Sequence, residues 1–96
     1  MTDIPELTEA DVERSLRRDH RQRLMAGDFR NGQDIADLRS FVGLTQADFA
    51  LALGVSVRTL QGWEQDRRRP RGPSLALLRI AARHPKFIRE NLAPVA

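Results

Sequence analysis

Two consecutive short helices, each with its own start and stop signal, constrain the fold of this chain more than any other feature of the sequence. Gly43 ends one helical stretch, and Thr45 with Asp48 three residues later has the capping-box spacing that starts the next. Gly54 stops that helix, and Ser56 begins another almost immediately. Because a turn of only three or four residues joins the two helices, they must cross in close contact.

This arrangement is the supersecondary pattern of a helix-turn-helix, whose second helix is available for the major groove of DNA. Ala50 is small enough for the helices to approach closely, and Val55 and Leu60 fill the space beneath the turn. Trp63 shares the inward face with Leu60, so we interpret it as a core residue rather than a base-stacking one. The outer side of the second helix then carries Val57, Arg58, Gln61 and Gly62.

The rest of the chain predicts more short helices around one small core. Apolar spacing predicts helices over residues 8–26, in the stretch before Gly43, from Pro73 or Ser74, and over residues 86–92. Asn31-Gly32 reads as a turn signal. We therefore expect an all-α fold, a compact bundle of about five helices that contains the helix-turn-helix, with an additional N-terminal helix. The expected organisation is a charged N-terminal helix and turn, a helix-turn-helix domain and a tail, at residues 1–31, 32–92 and 93–96.

A basic loop follows the second helix of the motif. Pro70 and Pro73 prevent a continuous helix through "QDRRRPRGPS". Residues 1–34 carry a net charge of −2 and residues 35–96 a net charge of +5, which favours an acidic partner such as a phosphate backbone. A high-GC genome also produces an arginine-rich composition, so the clustering of arginine is more informative than its total number.

The sequence offers little for catalysis or metal binding. It has no cysteine, and His20 and His84 are too few for a zinc site, so we expect both to be ordinary surface or capping residues. No catalytic triad, carboxylate pair or glycine-rich phosphate loop is recognisable, so we expect no enzymatic activity, cofactor or metal. No apolar stretch reaches the roughly 18 residues of a membrane span, and the acidic N-terminus lacks a secretion signal. We expect a cytoplasmic protein.

Residues 35–84 together resemble a known family. The stretch "GLTQADFALALGVSVRTLQGWEQDRRRPRGPSLALLRIAARHP" closely resembles the Xre-type helix-turn-helix family, which implies the Xre/Cro-type repressor fold. The matching positions are Gln46, Phe49, Ala50, Gly54, Val55, Ser56, Leu60, Trp63 and Glu64. Within that family, the Trp-Glu pair, the basic loop and "GPS…LLRIAARHP" look like the HigA and MqsA type antitoxins of toxin–antitoxin pairs. The chain departs from the family pattern at Asp66, where a glycine is usual.

The resemblance implies DNA-contacting roles for two sets of residues. Base-facing positions of the family correspond to Val57, Arg58 and Gly62, and Gln61 reaches an adenine edge or a phosphate. Arg58 is the side chain that can read guanine through O6 and N7. Phosphate contacts are expected from Gln46, Ser56, Thr59, Arg67, Arg68, Arg69 and Arg71.

Each of these roles has a structural alternative. Gln46 is also placed to cap its own helix. Arg58 is also placed to form a surface ion pair with Glu64 or Asp66. The arginine loop alternatively is only a solvated surface loop.

Three functions fit this sequence. The first is a sequence-specific repressor that is also an antitoxin: it binds a palindromic operator as a homodimer, autoregulates its operon and neutralises a cognate RNase-type toxin. Toxin contacts would then come from the acidic N-terminal helix, with Glu6, Glu9, Asp11 and Glu13. The dimer surface would comprise Phe87, Ile88 and Leu92, which alternatively complete the monomer core.

The second function is a stand-alone or phage-type Xre regulator without a toxin. The third is a protein-interaction module that never binds DNA. Val57 and Gly62 keep the third open, because neither has a hydrogen-bonding side chain at an expected base-facing position.

Overall fold

The structure, a computed structural model, describes residues 16–92, and in this range it is helical without a β-strand. The elements are α1 (Arg18–Met25), α2 (Gly32–Val42), α3 (Gln46–Leu53), α4 (Val57–Glu64), α5 (Pro73–Arg83), the single turn α6 (Pro85–Phe87) and a π-helical turn (Ile88–Leu92). This confirms the predicted all-α bundle with a helix-turn-helix. The first part of the predicted helix 8–26, and the tail at residues 93–96, lie outside the described residues.

Side-chain caps start the central helices where the sequence predicts them. The Oγ1 of Thr45 accepts a hydrogen bond from the Asp48 amide at 3.1 Å, and the Oγ of Ser56 accepts one from the Thr59 amide at 3.0 Å. Gly54 ends α3 in the left-handed region, with φ 73°. The sequence of short capped helices therefore follows directly from local chemistry.

The Asn31-Gly32 pair is a helix start and not the turn that the sequence suggests. Asn31 is the N-cap of α2, and its side-chain oxygen accepts from the Asp34 amide at 3.1 Å. Gly32 is needed for close approach: a Cβ there would lie 2.3 Å from the carbonyl oxygen of Glu64 at the end of α4. The first turn of α2 is thus pressed against the last turn of α4.

One apolar core joins all of these helices. Its fully buried large side chains are Phe49, Leu24, Ile35, Leu38, Leu60, Leu78, Ile88 and Val42. Leu24 comes from α1, so the helix before residue 32 shares the core of the 32–92 segment. The described part of the N-terminal helix is therefore packed into the bundle, mainly against α5.

A buried carboxylate ties α1 to α2. Asp34 is 4% exposed, and it accepts two hydrogen bonds from Arg23, at 2.8 and 3.0 Å, and one from the Arg30 amide at 2.8 Å. The Nε2 of His20 lies 2.9 Å from the same carboxylate. Burial alone raises the pKa of Asp34, but the hydrogen bonds from Arg23, Arg30 and His20 outweigh it and hold the pKa well below its usual range.

His20 is therefore neither a free surface residue nor a cap, contrary to the sequence-based expectation. It lies one turn before the buried Leu24 of α1 and pairs with Asp34. The ligand atoms of His20, Asp34 and Asp37 lie within 4.8 Å of one another. Because Arg23 already neutralises Asp34 through both oxygens, we assign this cluster to helix packing and not to metal binding.

Three arginines cap the C-terminal ends of neighbouring helices. The Nε of Arg21 donates to the Ala82 carbonyl of α5 at 3.0 Å, and the Nε of Arg83 donates to the Met25 carbonyl of α1 at 3.1 Å. Arg89 donates to the carbonyl of Val42, the last residue of α2, at 2.9 Å. Each guanidinium donates to a carbonyl in the last turn of another helix, where no backbone amide of that helix is available. It also places positive charge at the negative end of that helix dipole.

The predicted dimer residues divide between the core and the surface. Ile88 is 0% exposed and completes the monomer core, the alternative considered for it, so a second copy has no access to its side chain. Phe87 is 52% exposed. The side chain of Leu92 lies outside the described residues. Between residues 16 and 92, no helix has both the length and the apolar character needed to cross a membrane.

Candidate nucleic-acid interface

Helices α3 and α4 pack directly against each other and are joined by a short turn. The Val55 amide donates to the Ala50 carbonyl at 3.0 Å and closes the turn between them. Ala50 is 1% exposed, which leaves no room for a larger side chain where the helices meet. Leu60 and Trp63 are 0% and 5% exposed, which confirms their predicted inward positions. The opposite side of α4 is consequently left to solvent.

The N-terminal half of this outer side is free of internal contacts. Val57 is 37% exposed, and Arg58 is exposed without a hydrogen-bond or ion-pair partner among residues 16–92. The alternative role of Arg58, an ion pair with Glu64 or Asp66, is not observed because both acids are engaged elsewhere. Glu64 binds Arg39 and Asp66 accepts from the Gly32 amide.

Gln46 belongs to a chain of hydrogen bonds that connects three helices. Its Nε2 donates to Glu64 at 3.1 Å, and its Oε1 accepts from Gln61 at 3.3 Å. It does not cap its own helix, since Thr45 does so. The Nε2 group carries two hydrogens and uses one of them here, so the second remains available to a phosphate oxygen.

Ser56 and Thr59 stand side by side at the start of α4. The Ser56 hydroxyl caps the helix and also donates to Thr59 Oγ1 at 3.0 Å. The Thr59 hydroxyl therefore has its own hydrogen free to donate. Both predicted phosphate-contacting hydroxyls lie at the N-terminus of α4, where backbone amides and the helix dipole attract an anion.

The loop after α4 turns sharply back onto that helix. Asp66 has φ 63°, the left-handed conformation that the usual glycine would adopt there, and its Oδ1 accepts from the Gly32 amide at 2.7 Å. The amides of Arg67 and Arg68 then both donate to the Gly62 carbonyl, at 2.8 and 3.2 Å. Aspartate thus replaces the glycine and adds a hydrogen bond between the loop and α2.

The four loop arginines are all exposed. Arg69 donates to the Arg30 carbonyl at 3.4 Å. In the described range, Arg67, Arg68 and Arg71 have no hydrogen-bond or ion-pair partner. The loop thus presents concentrated positive charge beside the exposed side of α4.

Gly62 differs from its predicted role. The sequence suggests an open position that lets DNA approach the backbone, but Gly62 is buried, because the side chain of Arg68 lies across it. The aliphatic carbons of Arg68 come within 3.4 to 3.8 Å of the place where a Cβ would lie. Gln61 is half-buried and held by Gln46.

Arg39 and Asp34 were not identified from the sequence. Arg39 joins α2 to α4, and Asp34 joins α2 to α1. A signal for Asp34 is present in the sequence: it lies four and eight residues before Leu38 and Val42, on an otherwise apolar stripe. An acid on a core stripe indicates a buried partner. No comparable local pattern marks Arg39, whose partner is 25 residues away.

These features together form a helix-turn-helix, with α3 and α4 as its two helices. The family model described as "Helix-turn-helix" matches residues 42–81, which include the whole of α3 and α4. Antitoxin HigA-2 of Vibrio cholerae is 38% identical over 55 residues, which is 57% of this chain and 53% of the relative. The uncharacterized HTH-type transcriptional regulator YiaG of Escherichia coli K12 is 37% identical over 57 residues, 59% of each chain.

The chain thus spans little more than half the length of these curated relatives. No solved structure matches it at a significant level.

Proposed function

We propose that this protein is a DNA-binding transcriptional regulator without enzymatic activity, and that it inserts α4 into the major groove of an operator. Val57 and Arg58 would face base edges, with Gln61 at the margin. Gln46, Ser56, Thr59 and the loop arginines would hold the phosphates on either side. A DNA partner of this kind fits the cytoplasm of a bacterial cell.

The division of the arginines into two groups is the observation that carries this proposal. Arg21, Arg83 and Arg89 donate to backbone carbonyls, while Arg23 and Arg39 bind buried carboxylates. A second group is exposed and lacks such partners within the described chain: Arg18, Arg58, Arg67, Arg68 and Arg71. Four of these five lie on α4 or in the loop that follows it, and only Arg18 lies elsewhere in the described chain, on α1. Unpaired guanidinium groups concentrated beside one exposed helix favour a polyanion as partner.

The proposal is tested by fluorescence anisotropy with labelled duplexes that tile the DNA upstream of the gene. A scrambled duplex of the same composition serves as reference, and each titration is run at two salt concentrations. We expect one upstream duplex to bind more tightly than the scrambled one, with affinity falling as salt increases. Arg58→Ala should lower affinity for that duplex by roughly 5- to 150-fold, the value of one bidentate guanine contact.

Arg18→Ala is the matched control, because it removes an exposed arginine from α1 and leaves α4 intact. It should leave the preference for the operator duplex unchanged. Equal and weak binding to operator and scrambled DNA, unaffected by Arg58→Ala, would contradict the proposal. That result would favour a protein-interaction module built on the same scaffold.

A cognate toxin is the second partner of the proposed function. A relative that carries the name antitoxin supports this role, and the acidic residues Glu6, Glu9, Asp11 and Glu13 would suit a basic RNase-type toxin. The relative named as a transcriptional regulator supports the alternative, a regulator that works without a toxin. Both functions use the same DNA-binding surface.

Growth rescue separates these two functions. The product of a neighbouring small basic gene is expressed with and without this protein, and we expect growth arrest that this protein relieves. Reversing the charge at the four acidic positions should abolish rescue but keep operator binding, whereas Arg58→Ala should do the opposite. The absence of any neighbouring product whose toxicity is relieved would favour the stand-alone regulator.

A homodimer is the proposed binding form on a palindromic operator, because two copies of α4 must lie about 34 Å apart. Phe87, half exposed, is the accessible member of the predicted dimer surface. Phe87→Glu should shift sedimentation toward the monomer and weaken operator binding. A variant that remains dimeric would place the interface elsewhere.

A further inference from the structure

The side chain of Arg68 occupies the place of the missing side chain at position 62. An added Cβ at Gly62 would lie 3.4 Å from the Cδ of Arg68, 3.5 Å from its Cγ and 3.8 Å from its Cβ. All three aliphatic carbons therefore run along α4 where a residue-62 side chain would project. Gly62 is buried for this reason, although Arg68 itself is exposed.

The position of Arg68 is fixed by the backbone around it. Asp66 turns the chain in the left-handed conformation and is held by the Gly32 amide. The Arg68 amide donates to the Gly62 carbonyl at 3.2 Å, beside the shorter bond from Arg67. Hydrogen bonds from the amides of Arg67 and Arg68 thereby fix this part of the loop to α4.

Arg68 shares a face of α4 with Arg58. Positions 58 and 62 are four residues apart in one helix, so their Cβ directions point to the same side, about 5–6 Å from each other. A side chain lying over position 62 is therefore one helical turn from Arg58. Glycine inside a helix costs about 1 kcal/mol relative to alanine, and here it leaves the space that the stem of Arg68 occupies.

We propose that Arg68 is a second base-reading residue, which contacts a guanine close to the one read by Arg58. This inference rests on the proposed function, because it requires α4 in the major groove. With α4 in the major groove, a guanidinium held against this helix would lie at the depth of the base edges, where it can donate to O6 and N7 of guanine. The side chains of Arg67 and Arg71 do not lie beside Gly62, and we keep them as phosphate contacts that flank the groove.

The test uses the upstream duplex that the wild-type protein prefers, with each base pair of a half-site replaced in turn. Anisotropy titrations compare the wild type with Arg68→Ala, Arg68→Lys and the neighbouring control Arg67→Ala. We expect wild-type discrimination of roughly 5- to 150-fold at one G·C pair, which Arg68→Ala abolishes while discrimination at the Arg58-dependent pair remains. Arg68→Lys should lose most of the same discrimination and keep the salt dependence, because it retains the charge but not the fork of donors.

Gly62→Leu provides an independent route to the same result. The leucine side chain would occupy the space beside α4 that the Arg68 side chain now fills, and it should remove discrimination at the same base pair. The Gly62→Leu/Arg68→Ala double variant should then show no further loss of discrimination. The inference is overturned if Arg68→Ala weakens operator and scrambled duplexes by the same factor, as expected of Arg67→Ala, because Arg68 is then a phosphate contact. A wild-type protein that prefers no duplex overturns the proposed function itself, which separates the two failures.

Discussion

The guanidinium of Arg39 in α2 grips the carboxylate of Glu64 at the end of α4 through two hydrogen bonds, of 2.8 Å from Nε and 3.2 Å from Nη2. The Glu64 side chain is only 8% exposed. The same carboxylate accepts from Gln46 at the start of α3. Glu64 therefore holds the end of α4 against both Arg39 and Gln46, and Gln46 is one of the proposed phosphate contacts.

Removing one member of this pair should be costly. Arg39→Met leaves the Glu64 carboxylate buried without its counter-charge, and we expect a loss of about 3–5 kcal/mol in the free energy of unfolding. Urea denaturation followed by circular dichroism measures this loss. The Arg39→Met/Glu64→Gln double variant removes both charges and should recover most of it. A double variant as unstable as the single one would show that packing, and not charge, holds α2 to α4.

The Asp34 cluster predicts a loss of stability in acid. Its pKa is lower in the folded protein than the ordinary value of about 3.9 for an unfolded chain, so the folded state binds fewer protons. The stabilisation is therefore complete above the ordinary pKa and decreases as the pH falls below it. Urea denaturation at a series of pH values should show a decline that Asp34→Asn reduces.

At neutral pH, Asp34→Asn should itself lower the free energy of unfolding by about 2 kcal/mol. This is less than the roughly 3–5 kcal/mol of a fully buried pair, because Arg23 and His20 keep about a fifth of their side-chain surface in water. Asp37→Asn, at a half-buried neighbouring position, is the control and should change stability little. Equal acid sensitivity of wild type and Asp34→Asn would contradict the assignment.

Two buried helical glycines should respond oppositely to alanine. At Gly32 the new Cβ would lie 2.3 Å from the Glu64 carbonyl oxygen, and a backbone atom can yield only if α2 and α4 separate. We expect Gly32→Ala to destabilise by about 1–3 kcal/mol or more. At Gly62 the nearest atom is a flexible Arg68 carbon at 3.4 Å, so Gly62→Ala should be neutral or stabilising by up to about 1 kcal/mol. Thermal denaturation of both variants checks the contrast, and similar melting temperatures would contradict it.

The salt dependence of the proposed DNA binding should depend on the loop arginines that have no partner within the described chain. Arg67→Ala and Arg71→Ala should each reduce the slope of log affinity against log salt by about 0.9, the value for one phosphate contact. Arg83→Ala is a matched control, because Arg83 is exposed but donates to the Met25 carbonyl. It should lower stability and leave the slope unchanged. A slope insensitive to Arg67 and Arg71 would remove the loop from the interface.

Most of the fold could be predicted because its signals are local. Thr45, Ser56 and Gly54 act within one helical turn, and the inward positions of Leu60 and Trp63 follow from helical spacing. Their outcomes depend on little beyond the neighbouring residues. The exposed position of Arg58 follows from the same periodicity.

The failures concern contacts between residues that are distant in the chain. The local sequence Asn31-Gly32 is typical of a turn, but in the structure it starts α2. The reason for glycine at position 32 is its contact with the Glu64 carbonyl, which the local sequence does not reveal. Similarly, helical spacing predicts that Gly62 is exposed, whereas in the structure the side chain of Arg68 covers it. Position along a helix gives no information about which later segment covers that position.

Val57 and Arg58 contribute little to the scaffold, because neither is buried and Arg58 has no partner within the described chain. Substitutions at these positions should change which operator is preferred while folding stays the same. Under the proposed function, duplicated copies of the gene would therefore diverge in their preferred operators through single substitutions at these two positions. Selection for a stable bundle and selection for a new target then act on separate residues.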